Sequence, residues 1–530
     1  MPDQFVVVEY PETRSVFAGG VDIGNTNDTL PINKGTHTFT LGKPKDYTPA
    51  SRKRKVAGTT VVTPMTITFA KIVSVLLLAC MAPGCAHHRV NAPLALQNPK
   101  AGYRFETTPH EGNSDELFVI LAFSGGGTRA AALSYGALEE LRDTTLTIDG
   151  RKRRLLDEVD LISSVSGGSF TAAYYGLHGD GIFTDFEPRF LRRNVQGALA
   201  LRMLSPVNWV RLASPHFDRI DMAAEYYDGI FDGRTFRDLE QRGRRPFIVL
   251  NATDMSLVSR FEFTQDQFDV LGSDLSSYPI SRAVAASSAF PILLSPLTVH
   301  NHAQPAGYKP PGWLENALED RELAPREFAC ATAVKSYIDE KSPRGKSRPF
   351  IHLLDGGLSD NVGLRGPAYA MTSAQNLWSM KGLLNTTIKH LVVITVNAKT
   401  DAPGAWDRKK DAPGLLGMFS VVSTGPMGNY SDETVQYVSD YLESARQNQA
   451  IAAGFAKLKG GAAPMLNKAD FYHIEVNFQN VKDATEREYL LRVGTNFSLP
   501  KKAIDHLRAS AAAQIRESGD MARLHEAFGR

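Results

Sequence analysis

Leu117-Phe118-Val119-Ile120-Leu121-Ala122-Phe123-Ser124-Gly125-Gly126-Gly127-Thr128-Arg129 is an apolar run that breaks on three glycines and continues into alanine-rich sequence. The same shape recurs at Val159-Asp160-Leu161-Ile162-Ser163-Ser164-Val165, which runs into Ser166-Gly167-Gly168-Ser169 and then Phe170-Thr171-Ala172-Ala173. Each reads as a buried strand that turns sharply and opens a helix. The first turn of such a helix carries unpaired backbone N–H groups, where the helix dipole also favours negative charge. Gly125, Gly126 and Gly127 let a developing oxyanion approach the backbone with no Cβ in the way. At the second junction the small residues Ser164, Gly167 and Gly168 allow a tight turn that holds the Ser166 hydroxyl clear of the sheet. The pair reads as an oxyanion hole and a nucleophile.

A third apolar run, Phe350-Ile351-His352-Leu353-Leu354-Asp355, ends in an acid followed by Gly356 and Gly357. Asp355 therefore stands where a strand-end carboxylate can face Ser166, and the two glycines clear space around it. Taken together, the glycine loop, the serine elbow, the stretch Ala286-Ser287-Ser288-Ala289-Phe290-Pro291 and Asp355-Gly356-Gly357 resemble the patatin-like phospholipases, from about Phe118 to Gly363 and in the family's order. The resemblance implies an α/β, three-layer fold with a central, mostly parallel sheet flanked by helices, and a Ser166-Asp355 pair acting on acyl esters of phospholipids or related lipids. The chain departs from the pattern at two places. Ser124 stands where the glycine loop usually opens with Asp, and Ser164 replaces the first glycine of the elbow.

At 43% hydrophobic and 22% charged residues, the chain is globular and large enough for one big α/β domain with additions. A net charge of +2 argues against nucleic acid as a partner. Three cysteines, Cys80, Cys85 and Cys330, allow no disulfide framework and show no metal-ligand spacing. The run Ile72 to Ala79 follows Lys71 and is too short to span a membrane, but it suits the apolar core of a secretory signal. Cys85, after Ala82-Pro83-Gly84, resembles a bacterial lipoprotein processing site, with Cys80 as the competitor. An envelope location on a lipid anchor is the expectation, with secretion or an inner-membrane anchor as alternatives. Residues 1–64 precede this segment as a β-rich unit or a mis-assigned start, and their basic cluster Arg52-Lys53-Arg54-Lys55 suits the cytoplasmic side of an anchor.

The remaining organisation is read as a signal-type segment over 65–85, a linker over 86–116, the catalytic domain over 117–400 and a C-terminal extension over 401–530. Arg129 either pins the glycine loop or is solvated. The run Arg151-Lys152-Arg153-Arg154 is a solvated loop or an aid to adsorption on anionic lipid. Phe183 to Phe217 mixes aromatic and aliphatic bulk with arginines, which suits either a buried excursion over the sheet or a lipid-touching helix.

In the expected reaction Asp355 takes the Ser166 proton as the hydroxyl attacks an ester carbonyl, the glycine loop binds the oxyanion, and water resolves an acyl-enzyme. No metal or organic cofactor is needed. The partners expected are a lipid substrate and a membrane surface. A Ser-His-Asp arrangement through His352, His390 or His473 is the alternative chemistry, and a non-catalytic lipid-anchored scaffold the alternative function. The glycine loop lacks the Lys-Ser or Lys-Thr of a nucleotide-binding P-loop.

Overall fold

The computed structural model describes residues 3–71, 91–109, 112–291, 293–319, 321–322, 324–338, 348–373, 377–378, 380, 388–400, 414–459 and 469–529. The signal-like run, Cys80 and Cys85 lie outside the described residues. The chain divides into two compact units, Met1–His87 and His88–Arg530.

Among the described residues the first unit is built of strands. Gln4–Glu9 alternates buried and exposed side chains, as a half-buried strand should. It pairs antiparallel with Thr29–Ile32 and parallel with Met65–Thr68. A second sheet joins Val21–Asn25, Ser15–Ala18, Gly35–Leu41 and Arg52–Val56. Val6, Val8, Val16, Phe39, Val56 and Ile67 form a core of the unit's own. The basic cluster lies on a strand, with Lys53 to Lys55 exposed and Val56 pointing inward. Because Met65–Thr68 and Ala70–Lys71 are strands of this unit, it runs past the boundary placed at residue 64.

In the second unit the eight-stranded sheet comprises β1 (Leu117–Phe123), β2 (Val159–Val165), β3 (Phe247–Asp254), β4 (Ser259–Glu262), β5 (Leu297–His300), β6 (Phe350–Asp355), β7 (His390–Asn397) and β8 (Asp470–Asn477). The order is β5-β6-β3-β2-β1-β7-β8, with β4 paired to β3. The strands β3, β2, β1, β7 and β8 run parallel, whereas β6 is antiparallel to β3. Every residue of β1, β2 and β3 is buried, which is why these strands read as continuous apolar runs and why helices must flank the sheet. The helices that matter for the site are α1 (Gly127–Asp143), α2 (Gly167–His178), α3 (Val195–Leu204), α4 (Pro206–Leu212), α5 (Arg219–Asp228), α6 (Ile280–Ser287) and α7 (Leu415–Lys459).

Three expectations change. The stretch taken as a linker packs on the sheet: Tyr103 and Phe105 are buried, and the Tyr103 hydroxyl bonds both the N–H and the carbonyl of Ile248. Isolated aromatics in an aperiodic stretch leave no periodic signature. The C-terminal extension supplies β8, so the sheet runs beyond the catalytic domain placed at 117–400. The basic run at 151–154 is a strand, not a loop; it forms a hairpin with Thr145–Ile148 through Asp149-Gly150, both at positive φ.

Candidate active site

The strand register brings the site together. Val165 pairs with Asn251 of β3, and Asp355 of β6 pairs with Ala252 from the other side. Ser166, one residue past Val165, is thus level with Asp355 although the sequence separates them by 189 residues. Ser166 Oγ donates to Asp355 Oδ2 at 2.8 Å. The serine sits at φ +50°, ψ −118° as the N-cap of α2. That conformation costs a non-glycine residue about 1–3 kcal/mol and is held only where surroundings enforce it.

The enforcement is steric and polar. A Cβ on Gly167 would run into the Gly127 carbonyl, and one on Gly168 would lie 2.8 Å from the carbonyls of Phe123 and Ser124. The elbow and the glycine loop are therefore in backbone contact. Ser166 N–H donates to Ser287 Oγ at 2.9 Å, and Ser287 Oγ also meets Ser169 Oγ at 2.9 Å. The end of α6 braces the acid as well, because Asp355 N–H donates to Ala289 O and Gly356 N–H to Ser287 O. Ser287 thus holds both Ser166 and the residue that follows Asp355. Thr253 Oγ1 donates to the Asp355 carbonyl at 2.8 Å.

Both departures from the family pattern are accommodated. Ser164 Oγ donates to Val249 O at 3.2 Å and accepts from Ser169 Oγ at 3.2 Å, so its side chain is bonded both to the sheet and to the first turn of α2. Ser124 Oγ accepts from Ala398 N–H at 2.8 Å, tying the glycine loop to the end of β7.

The three loop glycines are not equivalent. Gly125 N–H donates to Asn361 O at 2.8 Å and is already engaged, a correction to its reading as an oxyanion donor. The N–H groups of Gly126 and Gly127 have no partner among the described residues, and both residues take positive φ, +139° and +60°. Asn361 and Asn496 have no motif to mark them, yet both shape this loop. Asn361 accepts from Gly125, and Asn496 O accepts from Thr128 N–H at 2.9 Å. Arg129 is buried, not solvated. Its Nη1 donates to Val493 O at 2.5 Å, a Cβ on Gly126 would lie 3.3 Å from its Nη2, and burial lowers its pKa to about 10. Its charge lies behind the loop without a carboxylate partner among the described residues.

Asp355 is buried, and this desolvation raises its pKa from 3.8 to about 6 against the opposing hydrogen bonds from Gly357 N–H and Ser166. Asp254, the other strand-end acid, is held by Arg348 and the Tyr337 hydroxyl. The three histidines lie elsewhere: His352 is exposed on Thr298 Oγ1, His390 bonds the Tyr472 hydroxyl, and His473 lies between Thr395 and Ser439. No described histidine bonds Ser166 or Asp355. The described residues hold no cluster suited to a metal ion.

The stretch Phe183 to Phe217 divides. Phe186, Phe190 and Leu191 are buried, with Phe170 and Phe190 stacked at 4.2 Å. On α3 and α4, however, Leu201, Leu204, Val207 and Trp209 are 71, 67, 60 and 59% exposed. These helices adjoin the site, since Val195 N–H at the start of α3 donates to Phe497 O, next to the Asn496 that holds the glycine loop. No described helix is long and apolar enough to cross a membrane.

Residues 121–367 match the family model described as patatin-like phospholipase. No curated protein matches the chain significantly. Among solved structures the chain is similar to human GIVD cytosolic phospholipase A2, at 13% identity and a TM-score of 0.39 over 78% of this chain and 60% of that one. The same human enzyme with methyl gamma-linolenyl fluorophosphonate aligns at 11% identity and a TM-score of 0.38 over 97% and 76%. VipD from Legionella pneumophila aligns at 10% identity and a TM-score of 0.29 over 85% and 73%. The chain thus spans 60% of the length of the first of these structures.

The Asp355 environment predicts two pH effects. Were Asp355 the base of an ester hydrolysis, kcat/KM would rise with pH through an apparent pKa near 6. The folded pKa also lies above the unfolded one, so this group's contribution to stability is complete below pH 3.8 and is lost as pH rises through about 6. Asp355→Asn should abolish activity yet make the fold more stable at pH 8 by up to about 3 kcal/mol, measured by urea denaturation; a variant destabilised at pH 8 contradicts this account.

Proposed function

With residues 121–367 assigned to the patatin-like phospholipase family, we propose that the protein is a lipid acyl hydrolase in which Ser166 and Asp355 are the catalytic pair. The observation that carries the reading is the 2.8 Å hydrogen bond from Ser166 Oγ to Asp355 Oδ2. As Oγ attacks the carbonyl carbon of an ester, its proton passes to Asp355. The carbonyl oxygen becomes the oxyanion, and the N–H groups of Gly126 and Gly127, without a partner among the described residues, are available to donate to it. Two helix N-termini, of α1 and α2, add their dipoles at the same place. The tetrahedral intermediate collapses, the alcohol leaves with the proton held by Asp355, and a water repeats the sequence to free the acid.

A carboxylate is a weaker base than imidazole, and two features of the site offset this. Burial raises the basicity of Asp355, and the buried Arg129 charge adds positive potential behind the loop. Each oxyanion donor is typically worth about 2.7–4 kcal/mol of transition-state stabilisation.

Ser166→Ala should remove both turnover of phospholipid esters and labelling by a fluorophosphonate probe. Separate replacement of His352, His390 and His473 should leave turnover within a few-fold of the parent. Loss of activity in any one of the three would require a triad.

The membrane is the second part of the reading. Leu201, Leu204, Val207 and Trp209 are exposed on α3 and α4; Arg193, exposed just before α3, has no acidic partner among the described residues, and Arg202 on α3 lies over the Tyr226 ring, so the surface is apolar with cations on the same helical segment. That combination suits an anionic lipid surface. Burying a leucine is worth about 1.5–3 kcal/mol, so Leu201→Glu with Leu204→Glu should weaken binding to anionic vesicles at least about tenfold, while hydrolysis of a soluble short-chain ester stays unchanged. Equal loss on both substrates would contradict an interfacial role.

A lipid anchor at Cys85 belongs to the same proposal and rests on the signal-like run before it. Metabolic labelling with an alkyne fatty acid should mark the protein and fail in Cys85→Ser; if only Cys80→Ser abolishes labelling, the anchor is at Cys80.

A further inference from the structure

At the N-terminal ends of β2 and β3, the opposite end of the sheet from Ser166, lies a cavity of about 640 Å³ with a predominantly basic lining. It is where the hairpin strand Arg151–Arg154 meets the C-terminal end of α2 and the turn before β3. Some of its charges are balanced. Arg153 pairs with Glu158, Arg154 with Asp157 and Asp180, and Arg245 with Asp160.

Lys152, Arg242 and Arg244 have no acidic partner among the described residues. Arg242 is half-buried, and its Nη1 donates to the carbonyls of Tyr175 and Gly176 at the end of α2. Its other edge faces the cavity. A Cβ placed on Gly179 would lie 2.9 Å from Arg242 Nη2 and 3.4 Å from Arg244 Nη2, so both guanidinium groups converge on one spot that only a residue without a side chain leaves open. Gly179 itself takes φ +57°. Two like charges held this close are unfavourable alone, the more so because Arg242 is half-buried, and its pKa is lowered by burial first and by Arg244 next, with Asp180 opposing. A multiply charged anion removes that penalty. Guanidinium groups recognise phosphate oxygens through paired N–H donors, and a lysine adds a point charge.

From the convergence of Arg242 and Arg244 on Gly179, with Lys152 in the same lining, we propose that this cavity is a binding site for a phosphate-type dianion, separate from the ester-cleaving site. The group is either a free phosphate compound or the phosphomonoester of a lipid headgroup. The site uses residues that the hydrolytic chemistry leaves untouched. It lies at the C-terminal carbonyls of α2, the helix whose other end carries Ser166.

The test uses the full chain carrying Ser166→Ala, so that no lipid is consumed and the outcome does not depend on the hydrolase reading. Inorganic phosphate is titrated by calorimetry at constant ionic strength, with sodium chloride as the reference. Saturable binding is expected. Arg244→Gln, at an exposed position that leaves the fold alone, should weaken it at least tenfold, and Lys152→Gln should weaken it several-fold. Arg151→Gln, on the same strand but outside the lining, should leave it unchanged. Arg242→Lys keeps the charge but loses the paired donors, and should also weaken binding. Vesicles carrying a phosphatidylinositol monophosphate then separate the two sources. Retention on vesicles that excess phosphate reverses assigns the headgroup, whereas phosphate binding without retention assigns the free compound. No saturable binding, or binding that Arg244→Gln and Arg151→Gln affect equally, overturns the proposal.

Discussion

A carboxylate withdrawn from water with no cation beside it is the constraint around which the second unit is arranged. Asp355 is almost wholly buried, and its polar partners are the Ser166 hydroxyl and the N–H of Gly357. An ion pair would have lowered the pKa and made a poor base. Burial does the reverse, and the value near 6 leaves the group ionised at neutral pH yet able to accept a proton. The buried Arg129 is kept behind the glycine loop, bonded to a carbonyl. The two charges are thus held apart: the negative one beside the hydroxyl that must lose a proton, the positive one behind the amides that face a growing negative charge.

That separation needs backbones packed closer than side chains permit. Gly127 lies against Asn496, Gly167 against Gly127, Gly168 against Phe123 and Ser124, and Gly356 against Asn251. In each pair a Cβ would meet main-chain atoms that cannot swing away. These glycines therefore serve contact between segments, and only Gly127 among them also needs its positive φ. The strain at Ser166 persists for the same reason. Its N–H is held by Ser287, and its neighbours are wedged against the loop.

The parts of this site that could be read in the sequence are those with local chemistry. A strand running into glycines, a serine amid small residues and an acid before two glycines each carry their meaning within about a dozen residues, and they led to Ser166, Asp355 and the loop. What sequence did not disclose depends on partners far along the chain. Nothing local says that β6 runs antiparallel to β3, yet that direction sets Asp355 level with Ser166. The occupation of Gly125 by Asn361, the hold of Ser287 on the Ser166 N–H and the support from Asn496 are contacts across 100 residues or more. The Asp149-Gly150 turn differs, because a two-residue Asp-Gly link is a local hairpin signal; the four basic residues after it made the segment look like a solvated loop.

The two ends of α2 show how one element serves opposite electrostatic demands. Its N-terminus begins with two glycines and the strained serine, so its first N–H groups and the positive end of its dipole face the place where negative charge forms. Its C-terminus presents carbonyls, and Arg242 donates to two of them. A cation at that end stabilises the same dipole, so the arginine supports the helix that aims the nucleophile. Yet one guanidinium edge suffices for two carbonyls, and the other is left facing Arg244. A helix cap alone accounts for Arg242 but not for Arg244 beside it, and the excess of positive charge at that end is a property of the cavity rather than of the helix.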